Sequence, residues 1–162
     1  EDEWNAEQDR GRSLKDGTDI QVAKFPEWEM EIRAYYDNWT TMLRSDIPEN
    51  VAVLRKLEHS EYDLFGLTNW SAETFPYALE NYDFFEIFKG KIVVSGTEKL
   101  IKPDKKIWEV LLERYHLKAE ESVFIDDNPK NIEVAKMLGF ITVHITEGTN
   151  LAEELRSLGI RF

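Results

Sequence analysis

From residue 62 to the end of the chain, short apolar runs alternate with longer segments of helical periodicity, and this alternation restricts the fold more than any other feature. A period of two residues indicates a strand, and a period of 3.6 residues indicates a helix. Repeated alternation of the two is typical of parallel strands joined by crossover helices. We therefore predict an α/β fold whose parallel sheet is covered on both faces. The predicted strands are 62–67, 92–95, 122–125 and 140–144, and the predicted helices are 72–81, 104–116, 129–138 and 151–158.

The first third of the chain has a different pattern. Residues 4–46 carry apolar residues at helical spacing and no strand pattern, so this part is predicted to be helical. Ile47-Pro48 interrupts the pattern before a further predicted helix at 49–57, since proline is tolerated near a helix start. We place a soft boundary there, so that residues 1–47 form a small helical unit and residues 48–162 form the α/β core.

Charge and composition exclude several classes of function. The chain has 20 Lys and Arg against 32 Asp and Glu, which gives a net charge of −12. This balance opposes binding to a nucleic-acid backbone, because each contact there needs a cation. The absence of cysteine excludes a disulfide framework, a thiolate metal site and a cysteine nucleophile. No apolar run approaches the roughly 18 to 20 residues that span a bilayer, and no signal peptide is visible. We therefore expect a cytoplasmic protein without membrane contact.

Polar residues at the ends of the predicted strands are the candidates for a site, because ligands of open parallel sheets bind beyond the carboxyl ends of the strands. Thr68 and Asn69 follow the first strand. A hydroxyl and an amide placed just before a helix N-terminus can donate hydrogen bonds to an anion. The alternative is that Thr68 or Ser71 only caps the helix that follows.

Two adjacent carboxylates, Asp126 and Asp127, directly follow the third predicted strand. Adjacent carboxylates at the end of a buried strand repel one another and lose solvation, a cost that a bound divalent cation would offset. Mg²⁺ is the expected ion, since it binds through a few carboxylates together with water and phosphate oxygens. The alternative is that Asp127 or Asn128 caps the next helix, with Pro129 at its first position.

Lys102 lies between these two strand ends in the chain, directly before Pro103. The proline restricts the backbone of Lys102 and keeps it out of the following helix. An ammonium group fixed in such a loop could neutralise a phosphate or an aspartyl intermediate. An ordinary solvated lysine is the alternative.

The order Thr-Asn, Lys-Pro and Asp-Asp, each at a strand end of a parallel α/β chain, resembles three motifs of the haloacid dehalogenase-like hydrolases. The resemblance covers nearly the whole chain and implies a Rossmann-like parallel sheet with a small α-helical cap at its N-terminal end. It also implies that residues 4–11 lie in a cap segment that can face the substrate, with a plain surface helix end as the alternative. The second motif is matched by Thr68-Asn69, the third by Lys102-Pro103, and the fourth by residues 124–128 with Asn131.

By this resemblance the protein is expected to be a phosphatase that acts on a small phosphorylated metabolite through an aspartyl-phosphate intermediate, with Mg²⁺ as cofactor. The resemblance implies catalytic roles for Thr68, Lys102 and Asp126, and phosphoryl binding by Thr68, Asn69 and Lys102. It implies Asp127 as a direct metal ligand, and Asp126 either as a ligand or as the neighbour of one. The aromatic-rich cap helix could also form a contact between copies of the chain through Trp28, Tyr35, Tyr36 and Trp39.

The family's first motif is a hydrophobic strand that ends in the nucleophilic aspartate, and this sequence has no counterpart of it. The resemblance places that strand at the centre of the sheet, between the strands that end at Thr68 and Asp126. We therefore expect both strands to present an unpaired edge. We also expect the chain as given to be inactive, with the motif carried by upstream residues or by a separate piece. No apolar strand precedes any of the early aspartates: Asp2, Asp9, Asp16, Asp19, Asp37 and Asp46.

Two alternatives to the phosphatase stay open. One is a non-catalytic anion-binding or regulatory module of the same fold. The other is a metal-free 2-haloacid dehalogenase, which is disfavoured because that subgroup has serine and asparagine in place of the acidic pair. A serine-histidine hydrolase fits poorly, because there is no Gly-x-Ser-x-Gly elbow for His59, His116 or His144 to serve.

Overall fold

The computed structural model describes residues 2–43 and 45–162. The α-helices are α1 (Asp2–Asp9), α2 (Leu14–Lys24), α3 (Glu29–Asp37), α4 (Pro48–Glu58), α5 (Phe75–Asn81), α6 (Ser95–Glu98), α7 (Lys106–Tyr115), α8 (Pro129–Met137) and α9 (Leu151–Ser157). The strands are β1 (Gly66–Thr68), β2 (Ile92–Val94), β3 (Val123–Asp126) and β4 (Ile141–His144). Short 3₁₀ helices lie at Pro26–Trp28, Trp39–Met42, Asp83–Phe88 and Ala119–Glu121.

The strands form two parallel pairs. β1 pairs with β2, so that Thr68 lies opposite Val94, and β3 pairs with β4, so that Asp126 lies opposite His144. Among the residues described, β1 and β3 share no backbone pairing, and each pair is a separate two-stranded sheet. The parallel α/β fold is thus confirmed, and β1 and β3 each keep one edge without a strand partner.

Side chains connect the two strand pairs where the backbone does not. Val93 of β2 and Phe124 of β3 belong to one buried cluster with Ile107 and Trp108 of α7. The rings of Trp108 and Phe124 meet edge to face, with centroids 5.5 Å apart. Burial of a large apolar side chain contributes about 1.5–3 kcal/mol, so this cluster stabilises the packing of β2 and β3 against the same helix, α7.

The described residues before α4 form helices and no strand, as predicted. Within this part, the indole N–H of Trp4 in α1 donates to the carbonyl oxygen of Gly17 in α2 at 2.9 Å. The turn after α1 lies close to α6. A Cβ atom at Gly11 would be only 2.8 Å from the carbonyl oxygen of Gly96. This contact leaves no room for a side chain at Gly11, so the helical segment lies directly against α6, the helix that follows β2.

The fourth helix belongs to the packing of the α/β part. Val53 and Leu57 of α4 are buried with Leu151 and Leu155 of α9 and with Val143 of β4. This helix begins at Pro48, directly after Ile47.

Local sequence explains where α8 begins and ends. The side chain of Asn128 accepts a hydrogen bond from the backbone N–H of Lys130 at 3.0 Å, which caps the helix, and Pro129 occupies its first turn. Gly139 adopts a φ of +94° just beyond the helix, a conformation that favours glycine. The chain turns there into β4.

Several predicted bounds were too generous. The strand predicted at 62–67 is β1, Gly66–Thr68, because a strand extends only as far as its partner does and β2 has three residues. The helix predicted at 72–81 begins at Phe75, after a turn at residues 72–74. The 3₁₀ helix Asp83–Phe88 was not predicted at all, since its run of aromatic residues has no helical period.

In the described part of the chain, no helix combines the length and the apolar character that crossing a lipid bilayer requires.

Candidate active site

The loops beyond β1 and β2 are joined by the side chain of Asn69. Its amide N–H donates to the carbonyl oxygen of Lys102 at 3.0 Å, and its amide oxygen accepts from the backbone N–H of Lys102 at 2.9 Å. These two hydrogen bonds fix the backbone of Lys102 relative to the end of β1. Asn69 was predicted to hold a phosphoryl oxygen, and the structure places its side chain in contact with the backbone of Lys102.

The ammonium of Lys102 then reaches the end of β3. Its Nζ atom lies 2.7 Å from Oδ2 of Asp126, and the two side chains are only 10% and 7% exposed. The same Nζ atom lies 5.6 Å from the centroid of the Phe124 ring. An ion pair shielded from water in this way interacts more strongly than one on the surface, so Lys102 is not the ordinary solvated lysine that the sequence left open.

Asp126 has further donors on its other oxygen. Oδ1 accepts from the backbone N–H of Asn128 at 2.8 Å and from the side-chain N–H of Asn131 at 2.9 Å. Together with Lys102, these donors give both carboxylate oxygens of Asp126 a hydrogen-bond partner in a site with little solvent. Within the described residues, the remaining amide oxygen of Asn131 is buried and has no hydrogen-bond partner.

Asp127 lies beside this cluster but is exposed. Its backbone carbonyl oxygen is 3.0 Å from Nε2 of His144, the last residue of β4. Its carboxylate has no hydrogen-bond or ion-pair partner in the described part of the chain. The capping alternative for this region is correct for Asn128, and Asp127 is left available to a ligand.

Ser95 and Gly96, at the end of β2, support this edge of the sheet and were not predicted. The Ser95 hydroxyl is fully buried and accepts from the backbone N–H of Trp70 at 2.8 Å. The N–H of Gly96 donates to the carbonyl oxygen of Trp70 at 3.1 Å, and a Cβ atom at Gly96 would lie 2.3 Å from the backbone nitrogen of Ala72. Glycine is therefore required at position 96, where the loop after β1 crosses the residues that directly follow β2.

A cavity of about 270 Å³ lies between the helical segment and the loop after β1. Five aromatic or aliphatic side chains of the helical segment form one wall, and Asn69 with the residues after it forms the other. Asn5 and Asp9 add polar atoms, so part of the predicted cap segment 4–11 does face this space. The residues of the first wall are Tyr35, Tyr36, Trp39, Met42 and Leu43, and those of the second are Asn69, Trp70, Ser71 and Thr74.

Two titratable groups that line this cavity, the carboxyl group of Asp9 and the hydroxyl of Tyr36, have a displaced pKa. Burial raises the pKa of Asp9 to about 6, and a hydrogen bond from the backbone N–H of Ser71 opposes part of that rise. The hydroxyl of Tyr36 donates to Asn5 at 3.2 Å and accepts from Gln8 at 2.9 Å. Burial raises the pKa of Tyr36 to about 12, so this phenol stays neutral at ordinary pH.

The donor set at the end of β3 fits a hard cation such as Mg²⁺. Asp127 offers an unpaired, exposed carboxylate, and the paired carboxylate of Asp126 keeps lone pairs, since a carboxylate can accept at about four positions. Among the residues described, no group of three or more acidic or histidine side chains is placed to hold a metal. Mg²⁺ commonly binds through one or two carboxylates, with water and phosphate oxygens as the other ligands.

The structure thus brings most of the sequence-predicted site residues to one edge of the sheet. Asn69, Lys102 and Asp126 are connected by direct contacts, and Thr68 ends β1 next to Asn69. Asp127 follows Asp126 without a direct contact to the lysine.

A model of the haloacid dehalogenase-like hydrolases matches residues 10–145, a range that includes every one of these residues. The chain is a member of the haloacid dehalogenase-like hydrolase family.

Curated relatives of this haloacid dehalogenase-like hydrolase include phosphatases. The chain is 30% identical over 128 residues to a sesquiterpene phosphatase from Aspergillus oryzae, an alignment that covers 79% of this chain and 64% of that protein. It is 25% identical over 155 residues to a phosphoglycolate phosphatase from Vibrio cholerae, which covers 86% of this chain and 68% of the relative. The chain thus spans less than two thirds of the length of the first of these relatives.

Solved structures of the family share the fold. A haloacid dehalogenase family enzyme from Bacteroides thetaiotaomicron, solved as a magnesium complex, matches with a TM-score of 0.75 and 22% identity over 93% of this chain and 78% of that chain. The same enzyme with magnesium and inorganic phosphate gives a TM-score of 0.75 at 23% identity. A predicted haloacid dehalogenase-like hydrolase from Porphyromonas gingivalis gives 0.60 at 28% identity, over 74% of this chain and 60% of that one.

Proposed function

We propose that the complete protein hydrolyses the phosphate monoester of a small metabolite in a Mg²⁺-dependent reaction. The observation that carries this proposal is the buried contact between Lys102 and Asp126, 2.7 Å long, at the strand edge where Thr68 and Asp127 also lie. A fixed cation beside carboxylates is suited to the charge of a phosphoryl group, since preorganised charge stabilises a transition state without reorganisation.

Each residue of this edge has a defined task in the proposal. The Thr68 hydroxyl and the backbone N–H of Asn69 donate to a phosphoryl oxygen. Lys102 has three N–H donors, one of which goes to Asp126, so the other two can approach the phosphate and the nucleophile. The side chain of Asn69 positions Lys102 through its two backbone hydrogen bonds.

The metal in this proposal is held by the carboxylate of Asp127, with Asp126 as a second ligand or as the group that orients the site. Bound Mg²⁺ would shield the negative charge of the phosphoryl group. Asp126 in turn keeps its orientation through Asn128, Asn131 and Lys102. Magnesium in the complexes of the Bacteroides thetaiotaomicron enzyme supports this assignment by analogy.

The nucleophile in this proposal is an aspartate on a further strand between β1 and β3, which the chain as given does not contain. Its carboxylate oxygen attacks phosphorus while the bond from phosphorus to the alcohol oxygen breaks, and that oxygen takes a proton from solvent and leaves as the alcohol. The oxygen of a water molecule then attacks phosphorus, which breaks the aspartyl-phosphate bond and releases the carboxylate and inorganic phosphate. The free edges of β1 and β3 support a strand at this place. On this account the chain as given is inactive by itself.

Two relatives support the choice of reaction, since both are named as phosphatases. The acidic pair Asp126-Asp127 argues against a metal-free dehalogenase. A non-catalytic module of the same fold is the remaining rival, and the experiment below distinguishes it.

The test is hydrolysis of a generic aryl phosphate with Mg²⁺, measured for this chain and for the complete protein with its encoded N-terminus. We expect activity in the longer form alone, abolished by a chelator and restored by added Mg²⁺. If neither form hydrolyses this ester or any of a panel of other phosphate esters, the result would contradict the proposal and favour the binding module.

A further inference from the structure

We propose that the cavity beside Asn69 selects phosphate monoesters of hydrophobic alcohols that carry no negatively charged group besides the phosphate. This inference rests on the proposed function, because it places the phosphoryl group at the strand edge and the rest of the substrate in the cavity. Asn69 connects the two places: it lines the cavity, follows Thr68 and holds the backbone of Lys102.

The walls of the cavity offer ring surface and few free polar atoms. The Tyr36 hydroxyl is engaged by Gln8 and Asn5, and the indole N–H of Trp70 donates to Thr74 at 3.1 Å. Trp39 packs edge-on against Tyr77 with centroids 5.2 Å apart, which holds its ring in place. These rings therefore offer apolar surface to a ligand, which gains affinity by leaving water.

The volume of the cavity indicates how large a group its walls can surround. About 270 Å³ holds roughly nine groups of the size of a water molecule, at about 30 Å³ each. A medium-sized alkyl or aryl group therefore fits, and a bulky polar group such as a nucleoside would leave its hydrogen-bonding atoms unmatched by these walls.

Asp9 sets the charge that the cavity accepts. Its carboxyl group lines the cavity and is fixed by the backbone N–H of Ser71. Because the pKa of Asp9 is about 6, this carboxyl group is mostly ionised at pH 7.5. It then repels a carboxylate on the ligand. Met42, which is 50% exposed at the same cavity, adds a flexible apolar contact.

The experiment measures binding with phosphonates, whose carbon–phosphorus bond is not hydrolysed, so that turnover does not enter. The complete protein is titrated by calorimetry with methylphosphonate, hexylphosphonate and 6-phosphonohexanoate at pH 7.5 with Mg²⁺. Each fully buried methylene is worth roughly fourfold in affinity, so we expect hexylphosphonate to bind at least roughly tenfold tighter than methylphosphonate. We expect 6-phosphonohexanoate, which carries the carboxylate, to lose most of this increase in affinity.

Three variants locate the effect. Met42→Gln should weaken the binding of hexylphosphonate roughly threefold to tenfold and leave the affinity for methylphosphonate unchanged. Met30→Gln is the control, because Met30 of α3 is 78% exposed and does not line the cavity, and it should change neither affinity. Asp9→Asn should recover affinity for 6-phosphonohexanoate.

Equal affinity for methylphosphonate and hexylphosphonate, or equal effects of the two methionine substitutions, would overturn the inference. Its failure is distinguishable from failure of the proposed function. Tight hexylphosphonate binding without hydrolysis of any phosphate ester would support the cavity assignment and contradict the phosphatase.

Discussion

The ammonium of Lys102 and the carboxylate of Asp126 join the loop beyond β2 to the end of β3, although these strands belong to separate sheets. The contact is 2.7 Å long and nearly closed to solvent. Two further N–H groups bind the same carboxylate, and Asn69 fixes the backbone of the lysine. A single charge network therefore sets the geometry of the candidate site and contributes to holding the two strand pairs together.

Breaking this ion pair on one side should strongly destabilise the complete protein. Lys102→Met leaves the Asp126 carboxylate buried without its cation, a situation that costs about 3–5 kcal/mol in other proteins. Adding Asp126→Asn should recover part of this loss, because a neutral amide oxygen can still accept from Asn128. Urea unfolding of the single and double variants measures the coupling, and strictly additive losses would contradict the network described above.

The pKa of Asp9 predicts a pH-dependent stability. The ordinary pKa of this carboxyl is 3.8, and in the folded protein it is about 6. Between these values the folded state binds more protons than the unfolded state, so the free energy of unfolding falls as pH rises and levels off above about pH 6. Asp9→Asn removes the ionisable group, and Tyr36 does not titrate in this range.

The difference in unfolding free energy between Asp9→Asn and the natural protein should therefore be small near pH 4. It should grow in favour of the variant up to about pH 7, by on the order of 1–3 kcal/mol. Thermal or urea unfolding at five pH values measures it. A difference that is constant with pH would show that Asp9 is not buried as described.

The free edges of β1 and β3 predict a difference in hydrogen exchange between this chain and the complete protein. If a further strand lies between them, the amides of Gly66–Thr68 and Val123–Asp126 that face the gap gain partners only in the longer form. We expect faster exchange of these peptides in the shorter chain, with α7 as an internal reference. Equal protection of both strands in the two forms would contradict a strand at this place.

The order of elements could be predicted because each element has a local cause. Alternating apolar runs marked the strands, and Asn128-Pro129 marked the start of α8. Thr68, Lys102 and the acidic pair could be proposed as site residues for the same reason, since each follows or lies near a strand end that the pattern predicts. Strand lengths were less predictable, because β1 extends only along its three-residue partner.

The parts that escaped prediction depend on contacts between distant residues. Ser95 supports Trp70, which lies 25 positions earlier in the chain, and nothing near Ser95 in the sequence indicates this. The raised pKa of Asp9 results from burial against the loop that contains Ser71. Asn69 was expected at the phosphate, and its two hydrogen bonds to Lys102 became visible only in the folded chain.

We propose that the edge formed by Lys102, Asp126 and Asp127 binds Mg²⁺ and acts on a phosphate ester. The most direct test is the Mg²⁺ dependence of aryl phosphate hydrolysis by the complete protein and its Asp127→Asn variant. Glu133→Gln is the matched control, because it removes one exposed carboxylate of α8 outside the site. We predict that Asp127→Asn raises the Mg²⁺ concentration for half-maximal activity at least roughly tenfold or abolishes activity, whereas Glu133→Gln leaves it unchanged. An unchanged Mg²⁺ dependence in Asp127→Asn would contradict the account.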